Sequence, residues 1–328
     1  MEAEEIKFTS IEGVRMGQAQ DVQAGTGVTV LAFPAGAHGG VAVSGGGPAS
    51  RETPVLSPVT ADVPLHAVVL SGGSAYGLAA GDGVMRCLEE HGIGYDTRFS
   101  LVPIVCQSCL YDLAYGNGSI RPDAAMGYEA CQDALQHNHL LEGNVGAGTG
   151  ATVGKICGMQ RAMKAGLGAY AVQVGALKLG AVVAVNALGD IYEADTGRKI
   201  AGLLDEQRQN FADSREELYK IVDTQNMFQR TNTTIGAIVT NGQFHKAALT
   251  KLARMAGAAY SRCISPTATM ADGDTIYAVS TGRVAADLNV AGTLAADVMA
   301  RAIHRAVKQS QMKDDASYLQ YCRLAAEK

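Results

Sequence analysis

The sequence contains no tryptophan, and aromatic residues make up only 5% of its 328 residues. It also lacks any long block of lysine or arginine, and its formal net charge is −5. Proteins that bind nucleic acids or anionic membranes usually carry a basic patch, and many stack bases on aromatic side chains. We therefore expect neither a nucleic acid nor a membrane as a partner.

Long uninterrupted apolar runs are missing as well. The most apolar stretch, from Leu167 to Leu188, contains Gln173, Lys178 and several glycines, and so differs from a membrane-spanning helix. The first residues, MEAEEIKFTS, are acidic where a secretory signal would be basic. These features predict a cytoplasmic protein.

The cysteines show no pairing pattern. There are seven, at positions Cys87, Cys106, Cys109, Cys131, Cys157, Cys263 and Cys322. The Cys106-Gln-Ser-Cys109 spacing suits a redox or zinc motif, but no second ligand pair completes a zinc site. We expect free thiols in a reducing compartment, most of them buried as packing residues.

Several motifs of hydrolases and nucleotide-binding proteins are absent. The sequence has neither the His-Glu-x-x-His pattern of metallopeptidases nor the Gly-x-Ser-x-Gly of serine hydrolases. His137-Asn-His139 is the one close histidine pair, in a polar stretch that predicts a turn. The glycine loop from Gly146 to Lys155 resembles a phosphate-binding loop, but Ile156 stands where such a loop needs Ser or Thr. We expect no metal and no cofactor.

What the sequence has is glycine, 39 residues of it, and a hydrophobic content of 47%, which is enough for a large core. Amphipathic periodicity predicts helices from Gly72-Gly73 to Glu90, with Ser74 as a possible cap, from Phe244 to Tyr260 and from Asp287 to Lys308. Short apolar runs between them predict at least as many strands. Mixed helices and strands without strict alternation favour a layered α/β sandwich. We expect a single domain over residues 1–328.

The segment QRTNTTIGAIVTN contains the residue of greatest chemical interest. Alternation predicts a strand from Thr233 to Thr240, with Thr233 and Ile235 on one face and Thr234 on the other. Threonine suits strands, so its presence has a purely structural explanation. A threonine at a new chain terminus can also act as a nucleophile, because its own amine accepts the hydroxyl proton. That chemistry requires cleavage between Asn232 and Thr233, directly after a polar and exposed-looking stretch.

Several separate motifs resemble those of one family. These are SGGSAYGLAAGDGVMRCLEEHGIGY, NVGAGTGATVGK, TNTTIGAIVTN and ADGDTIYAVSTG, preceded by IEGVRMGQAQD, GTGVTV and VSGGGPASRET. In the same order they resemble the L-aminopeptidase/D-esterase family, which includes the β-peptidyl aminopeptidases. The resemblance extends from about residue 8 to about residue 300.

The resemblance implies a four-layer αββα sandwich of the N-terminal-nucleophile-hydrolase type. It also implies a precursor that cuts itself between Asn232 and Thr233 into pieces 1–232 and 233–328. Thr233 would then form an acyl-enzyme with a small peptide, amide or ester substrate that has a free amino terminus. Asn186 matches an asparagine that faces the oxyanion, and Tyr76 matches a tyrosine that orients the tetrahedral intermediate. As turn and packing residues, both also have simple structural explanations.

Two positions depart from the best-described family members. Asp272-Gly-Asp274 replaces a Ser-x-Glu pattern, and either carboxylate could hold the ammonium of the nucleophile or of the substrate. Asp-Gly is also a common turn sequence. Thr233 replaces a serine, which keeps the hydroxyl and adds a methyl group that narrows the site.

The resemblance further implies a homo-oligomer, plausibly a tetramer of αβ units, that works without metal or cofactor. Two other functions remain open from the sequence. One is an acyltransferase resembling ornithine acetyltransferase, in which an amine resolves the acyl-enzyme. The other is a metabolite-binding protein that uses the glycine loops and is never cleaved.

Overall fold

The computed structural model describes residues 3–222 and 232–311. The strands of the described chain are β1 Glu4–Ile6, β2 Arg15–Asp21, β3 Thr26–Val43, β4 Ala49–Arg51, β5 Leu65–Ser71, β6 Tyr95–Asp96, β7 Leu101–Val102, β8 Val105–Cys109, β9 Thr152–Val153, β10 Met163–Lys164, β11 Leu167–Val174, β12 Leu177–Asn186, β13 Asp190–Tyr192, β14 Lys199–Ala201, β15 Thr233–Gly242, β16 Ile264–Ser265 and β17 Thr275–Val284. The α-helices are α1 Ala80–Glu90, α2 Ala124–Gln136, α3 Ser214–Tyr219, α4 Lys246–Ala256, α5 Ala258–Cys263 and α6 Leu288–Gln311.

The long strand β3 joins two sheets. Its first half pairs with β2 and β5, and the second half pairs with β17. The resulting strand order is β1-β11-β12-β15-β17-β3-β5-β8-β4, with β2 as an additional partner of β3. β15 lies between β12, to which it is antiparallel, and β17, to which it is parallel.

Three hydrophobic clusters define four layers. The first cluster packs α4, α5 and α6 on the outer face of the sheet that contains β11, β12, β15 and β17. The second lies between the two sheets, and the third packs α1 and α2 on the outer face of β2, β3, β5 and β8. This arrangement is the predicted αββα sandwich, which is confirmed.

The helix predictions are correct in position and differ at their ends. The first predicted helix begins as a 3-10 turn, Ser74–Ala79, and becomes α-helical at Ala80; Ser74 has a φ of 54° and makes no capping hydrogen bond. The second is divided into α4 and α5 at Gly257. The third is observed as α6.

The strand predictions hold for the centre of the sheet. The apolar stretch from Leu167 forms β11 and β12, which are joined by a turn in which Gly175 has a φ of 59°. Gly180 lies inside β12. A Cβ there would approach the ring of Phe8 to 2.7 Å, so this glycine is required by packing between the sheets.

Thr233 begins β15, as the alternation predicts. Ile235 belongs to the cluster between the sheets, whereas Ile238 belongs to the cluster under the helices. By strand parity, Thr233 faces the interior between the sheets and Thr234 faces the helical layer. The two adjacent threonines therefore lie in different environments.

Across residues 3–222 and 232–311, no helix is both long and apolar enough to cross a bilayer. Six of the seven cysteines lie in the described chain and all six are free thiols, five of them buried. Cys322 lies outside the described residues. The prediction that Cys106 and Cys109 are packing residues is consistent with their complete burial, which raises the pKa of Cys109 to about 12.

Candidate active site

The start of β15 is held by contacts on both sides. Thr233 is the register partner of Asn186, the last residue of β12. On the other side Asn232 forms a parallel bridge with Asp272, just before β17. All of these side chains are buried. The fold thus brings the predicted residues Asn186, Asn232, Thr233, Asp272 and Asp274 to one end of the central strands.

The peptide bond between Asn232 and Thr233 has a hydroxyl and a hydrogen-bond donor beside its carbonyl group. The Thr233 hydroxyl donates to the Asn232 carbonyl oxygen. The main-chain N–H of Gly273 donates to the same oxygen at 3.1 Å. A Cβ on residue 273 would lie 2.7 Å from Thr233 Oγ1, so the glycine leaves room for the hydroxyl.

Two aspartates hold the loop that supplies Gly273. Asp274 Oδ1 accepts the Thr234 N–H at 2.7 Å, and Asp272 Oδ2 accepts the hydroxyl of Thr269 at 2.6 Å. Burial, followed by the negative charge of Asp272, raises the pKa of Asp274 to about 7. Asp274 is therefore partly protonated at neutral pH.

Asn186 binds a lysine through its side chain. Lys155 Nζ donates to Asn186 Oδ1 at 2.8 Å and to the Asn186 carbonyl oxygen at 2.9 Å. The Asn186 Nδ2 donates to the Tyr111 carbonyl oxygen at 2.8 Å. The oxyanion role that the family resemblance implies for Asn186 is not tested by these contacts. What they show is an amide that positions Lys155, while Gly273 donates to the carbonyl oxygen.

Lys155 is the residue that sequence reasoning missed. Burial lowers its pKa to about 7, and the charges of Asp272, Asp112 and Asp274 oppose that shift. A lysine with this pKa is partly neutral at physiological pH and can accept a proton. The sequence feature that points to Lys155 is the glycine loop that ends at Gly154-Lys155. Its resemblance to a phosphate-binding loop does not suggest a lysine that accepts a proton.

A cleft of about 460 Å³ opens beside Asn232. Its walls combine apolar side chains with charged ones. The residues that line it include Tyr111, Asp112, Lys155, Glu217 and Asn232. Asp112 is buried, and burial raises its pKa to about 6. The cleft has room for a small substrate next to the Asn232–Thr233 peptide bond.

The structure does not bring Tyr76 to this cleft. It lies on the 3-10 turn Ser74–Ala79 with 61% of its surface exposed, and Arg121 stacks on its ring at 3.7 Å. In the described part of the chain, the tyrosines that line the cleft are Tyr111 and Tyr115. The role of Tyr76 is implied by the family resemblance of its motif and stays a prediction.

The glycine loop serves packing as well. Gly148 and Gly150 approach main-chain atoms so closely that a Cβ would lie 2.1 Å from Leu167 N and 2.0 Å from Gly25 O, respectively. The loop thus places β9 and Lys155 against the end of β12, where Lys155 N–H donates to the Leu188 carbonyl oxygen at 3.0 Å.

Comparison with known proteins gives a consistent result. The sequence profile described as Peptidase family S58 matches residues 7–317. An uncharacterized aminopeptidase of Mycobacterium leprae is 37% identical over 92% of this chain and 89% of its own length. A 6-aminohexanoate-oligomer endohydrolase of a Kocuria species is 32% identical over 90% of this chain and 84% of its own length.

Two solved structures share the fold. The L-aminopeptidase D-Ala-esterase/amidase of Ochrobactrum anthropi, described as a variant of the Ntn-hydrolase fold, superposes with a TM-score of 0.69 at 19% identity, covering 92% of this chain and 85% of that one. A β-aminopeptidase of a Burkholderia species superposes with a TM-score of 0.64 at 18% identity, covering 99% and 96%.

Proposed function

This chain belongs to peptidase family S58 and is a hydrolase, and from that premise we propose that it is a self-processing aminopeptidase with Thr233 as its nucleophile. The observation that carries the proposal is the position of the Thr233 hydroxyl, buried against the carbonyl group of Asn232 at the start of a central strand. The adjacent cleft gives a substrate access to the same place.

Self-processing would begin with attack of Thr233 Oγ1 on the carbonyl carbon of Asn232. The C–N bond breaks, the acyl group moves to the oxygen as an ester, and the nitrogen becomes a free amine. Water then hydrolyses the ester and leaves a carboxylate on Asn232. The Gly273 N–H points at the oxygen that becomes negative during attack, as an oxyanion donor must.

Before the cut Thr233 has no free amine, so another group must accept its proton. We assign this step to Lys155, which is held beside Asn186, the strand partner of Thr233. The Asn232 side chain favours the same reaction. Its Oδ1 and Nδ2 are buried without a hydrogen-bond partner among the described residues, an arrangement that costs about 1–3 kcal/mol and is relieved when the chain end moves.

After the cut the new Thr233 amine itself serves as the base for substrate turnover, next to the Thr234 N–H that donates to Asp274. The substrate acyl group would occupy the position of the Asn232 carbonyl group, again facing Gly273. Asp112 and Glu217 in the cleft wall supply negative charge for the free amino group of the substrate. A small peptide, amide or ester with a free amino terminus fits this arrangement.

The proposal also covers the cellular location of the enzyme and its oligomeric state. We place the enzyme in the cytoplasm, a choice supported by the six free cysteines of the described residues. We also propose a homo-oligomer, with a tetramer as the expected form, in which each unit consists of the pieces 1–232 and 233–328.

The test compares Thr233→Val with Thr234→Val. Both changes replace a buried threonine hydroxyl with a methyl group of similar size on neighbouring residues. We expect wild type and Thr234→Val to give two fragments by denaturing mass spectrometry, the smaller beginning Thr-Thr-Ile-Gly. We expect Thr233→Val to give one intact chain with no hydrolysis. An intact mass for active wild-type protein contradicts the proposal.

Substrate class is tested with the same preparations. Amino-acid amides, amino-acid esters and 6-aminohexanoate oligomers are offered with water as the acceptor, because relatives are named for aminopeptidase and for oligomer-hydrolase activity. Acetyl donors with an amine acceptor test the acyltransferase alternative. The metabolite-binding alternative requires an intact chain in every preparation.

A further inference from the structure

Three side chains at the end of α2 converge on one point that the proposed chemistry does not use. They are Asp133 in the last turn of the helix, His137 directly after it, and His139. One ligand atom from each lies within 4.8 Å of the other two. None of the three lines the cleft beside Asn232.

One carboxylate oxygen faces both imidazole rings. Asp133 Oδ1 lies 2.8 Å from His137 Nδ1 and 3.5 Å from His139 Nδ1, and the ring centroids are 6.2 Å apart. Ligand atoms bound tetrahedrally to zinc at about 2.0–2.1 Å are separated from one another by about 3.4 Å. The two carboxylate–imidazole distances lie on either side of that value, and the histidine ligand atoms lie within 4.8 Å of each other, so side-chain rotations can admit a cation.

The main chain fixes the three residues. The Gln18 N–H on β2 donates to Asp133 Oδ2 at 2.9 Å, which directs Oδ1 toward the rings. Asn138 has a φ of 50°, and its side chain accepts the Met16 N–H at 3.0 Å. The His139 N–H donates to the Met16 carbonyl oxygen at 3.1 Å. The left-handed conformation of Asn138 turns the chain so that His137 and His139 face the same aspartate.

Asp133, His137 and His139 offer the types of ligand found in transition-metal sites. Two imidazoles and one carboxylate suit Zn²⁺ and its neighbours better than Ca²⁺ or Mg²⁺, which prefer all-oxygen ligands. The hydrogen bond from Gln18 to the far oxygen of Asp133 is the kind of outer contact that orients a metal-binding carboxylate. The His139 side borders a groove of about 660 Å³, through which water can reach a remaining coordination position.

We propose that Asp133, His137 and His139 bind a divalent transition-metal cation, with Zn²⁺ as the best fit. The bound cation links the end of α2 to β2. This site is independent of Thr233, so the unprocessed Thr233→Val chain binds the cation as wild type does.

The experiment measures Zn²⁺ binding in competition with a chromophoric chelator, and Co²⁺ binding by visible absorption. The variants are His137→Asn, His139→Asn and the double change. The matched control is His38→Asn, because His38 Nδ1 lies 3.2 Å from Asp62 Oδ1 in an exposed pair without a second histidine.

We expect one cation for each wild-type chain at this site, about tenfold or more weaker binding after each single change, and none after the double change. His38→Asn should bind as wild type does. Zinc should raise the melting temperature of wild type and of the control but not that of the double variant, whose metal-free melting temperature shows that it is folded. Equal binding by wild type and the double variant, or no cobalt absorption from wild type, overturns the proposal.

Discussion

The surroundings of Lys155 determine its pKa and therefore its protonation state. A lysine in water is a cation at neutral pH, but burial at the end of β12 lowers its pKa to about 7. The carbonyl oxygen and side-chain oxygen of Asn186 hold the nitrogen in place. A group that can accept a proton is therefore held at Asn186, the strand partner of Thr233, in the uncut chain.

Processing should depend on pH through this residue. Protonated Lys155 cannot accept the hydroxyl proton, so the rate of cleavage should rise as pH increases through about 7. Lys155→Arg keeps a positive charge at every accessible pH and should slow cleavage about 10²- to 10⁴-fold. Unprocessed chain refolded in buffers that span this range, followed by electrophoresis, gives the rates.

Asp274 also loses its proton near pH 7, so the wild-type profile alone does not identify the base. The arginine variant makes the distinction. Cleavage at a rate within a few-fold of wild type would show that Lys155 is not the base.

For single residues, the sequence predicts a candidate nucleophile better than it predicts the groups that assist that nucleophile. The role proposed for Thr233 is one that its residue type and its place at the start of a strand suggest. The Gly273 N–H and the Lys155 amine depend on which segments meet in three dimensions, and no local pattern reports that. Tyr76 lies outside the lining of the cleft, and its role rests on the family resemblance of its motif, which does not report its position in three dimensions.

Among the elements, the small sheet of β13, β14 and β16 holds α3 beside the cleft. Asp190 is fully buried and accepts hydrogen bonds from the Leu203 N–H, the Ser214 N–H and the Ser214 hydroxyl. Lys199 Nζ lies 2.6 Å from Asp190 Oδ2. The Asp190 carboxylate therefore connects β14 to the start of α3. Glu217 lies on α3 and lines the cleft.

Removing this charge should weaken the whole fold. Asp190→Asn leaves Lys199 without its partner and places an amide N–H against hydrogen-bond donors, so we expect a loss of about 3–5 kcal/mol in the free energy of unfolding. Urea unfolding in the Thr233→Val background measures it on a single uncut chain. Asp297→Asn is the control, because the Arg262–Asp297 pair is exposed and should be worth less than about 1 kcal/mol. A similar loss in both variants would contradict the role of Asp190.

Strand faces were predictable where alternation was strong. The pattern from Thr233 onward correctly separates the residues between the sheets from those under the helices. Element ends were less predictable. Gly257 divides a continuous amphipathic pattern into α4 and α5, because glycine is unfavourable inside a helix.

For the molecule as a whole, the hairpin of β6 and β7 is an unusual surface feature. Phe99 at its tip is 97% exposed, and Tyr95 and Val102 are 43% and 36% exposed. Three large apolar side chains on one projecting hairpin are unfavourable in water, and such patches usually mark protein contacts. For the proposed homo-oligomer, we expect the contact between copies of the chain at this hairpin.

Phe99→Ser should reduce the oligomer to smaller units. A buried aromatic anchor at an interface typically contributes about 2 kcal/mol or more. Light scattering after size-exclusion chromatography measures the mass. Val59→Ser is the control, because Val59 is 93% exposed but lies outside the hairpin. An unchanged mass for Phe99→Ser would place the contact elsewhere.

The position of β15 has a consequence for biogenesis. β15 and β17 adjoin each other at the middle of the strand order, with β12 on one flank and β3 on the other. Residues after the proposed cut are therefore interleaved with residues before it, and halves synthesised separately would each lack the neighbours that complete their hydrogen bonding. The proposed cleavage therefore has to follow assembly of the sheet from one continuous chain.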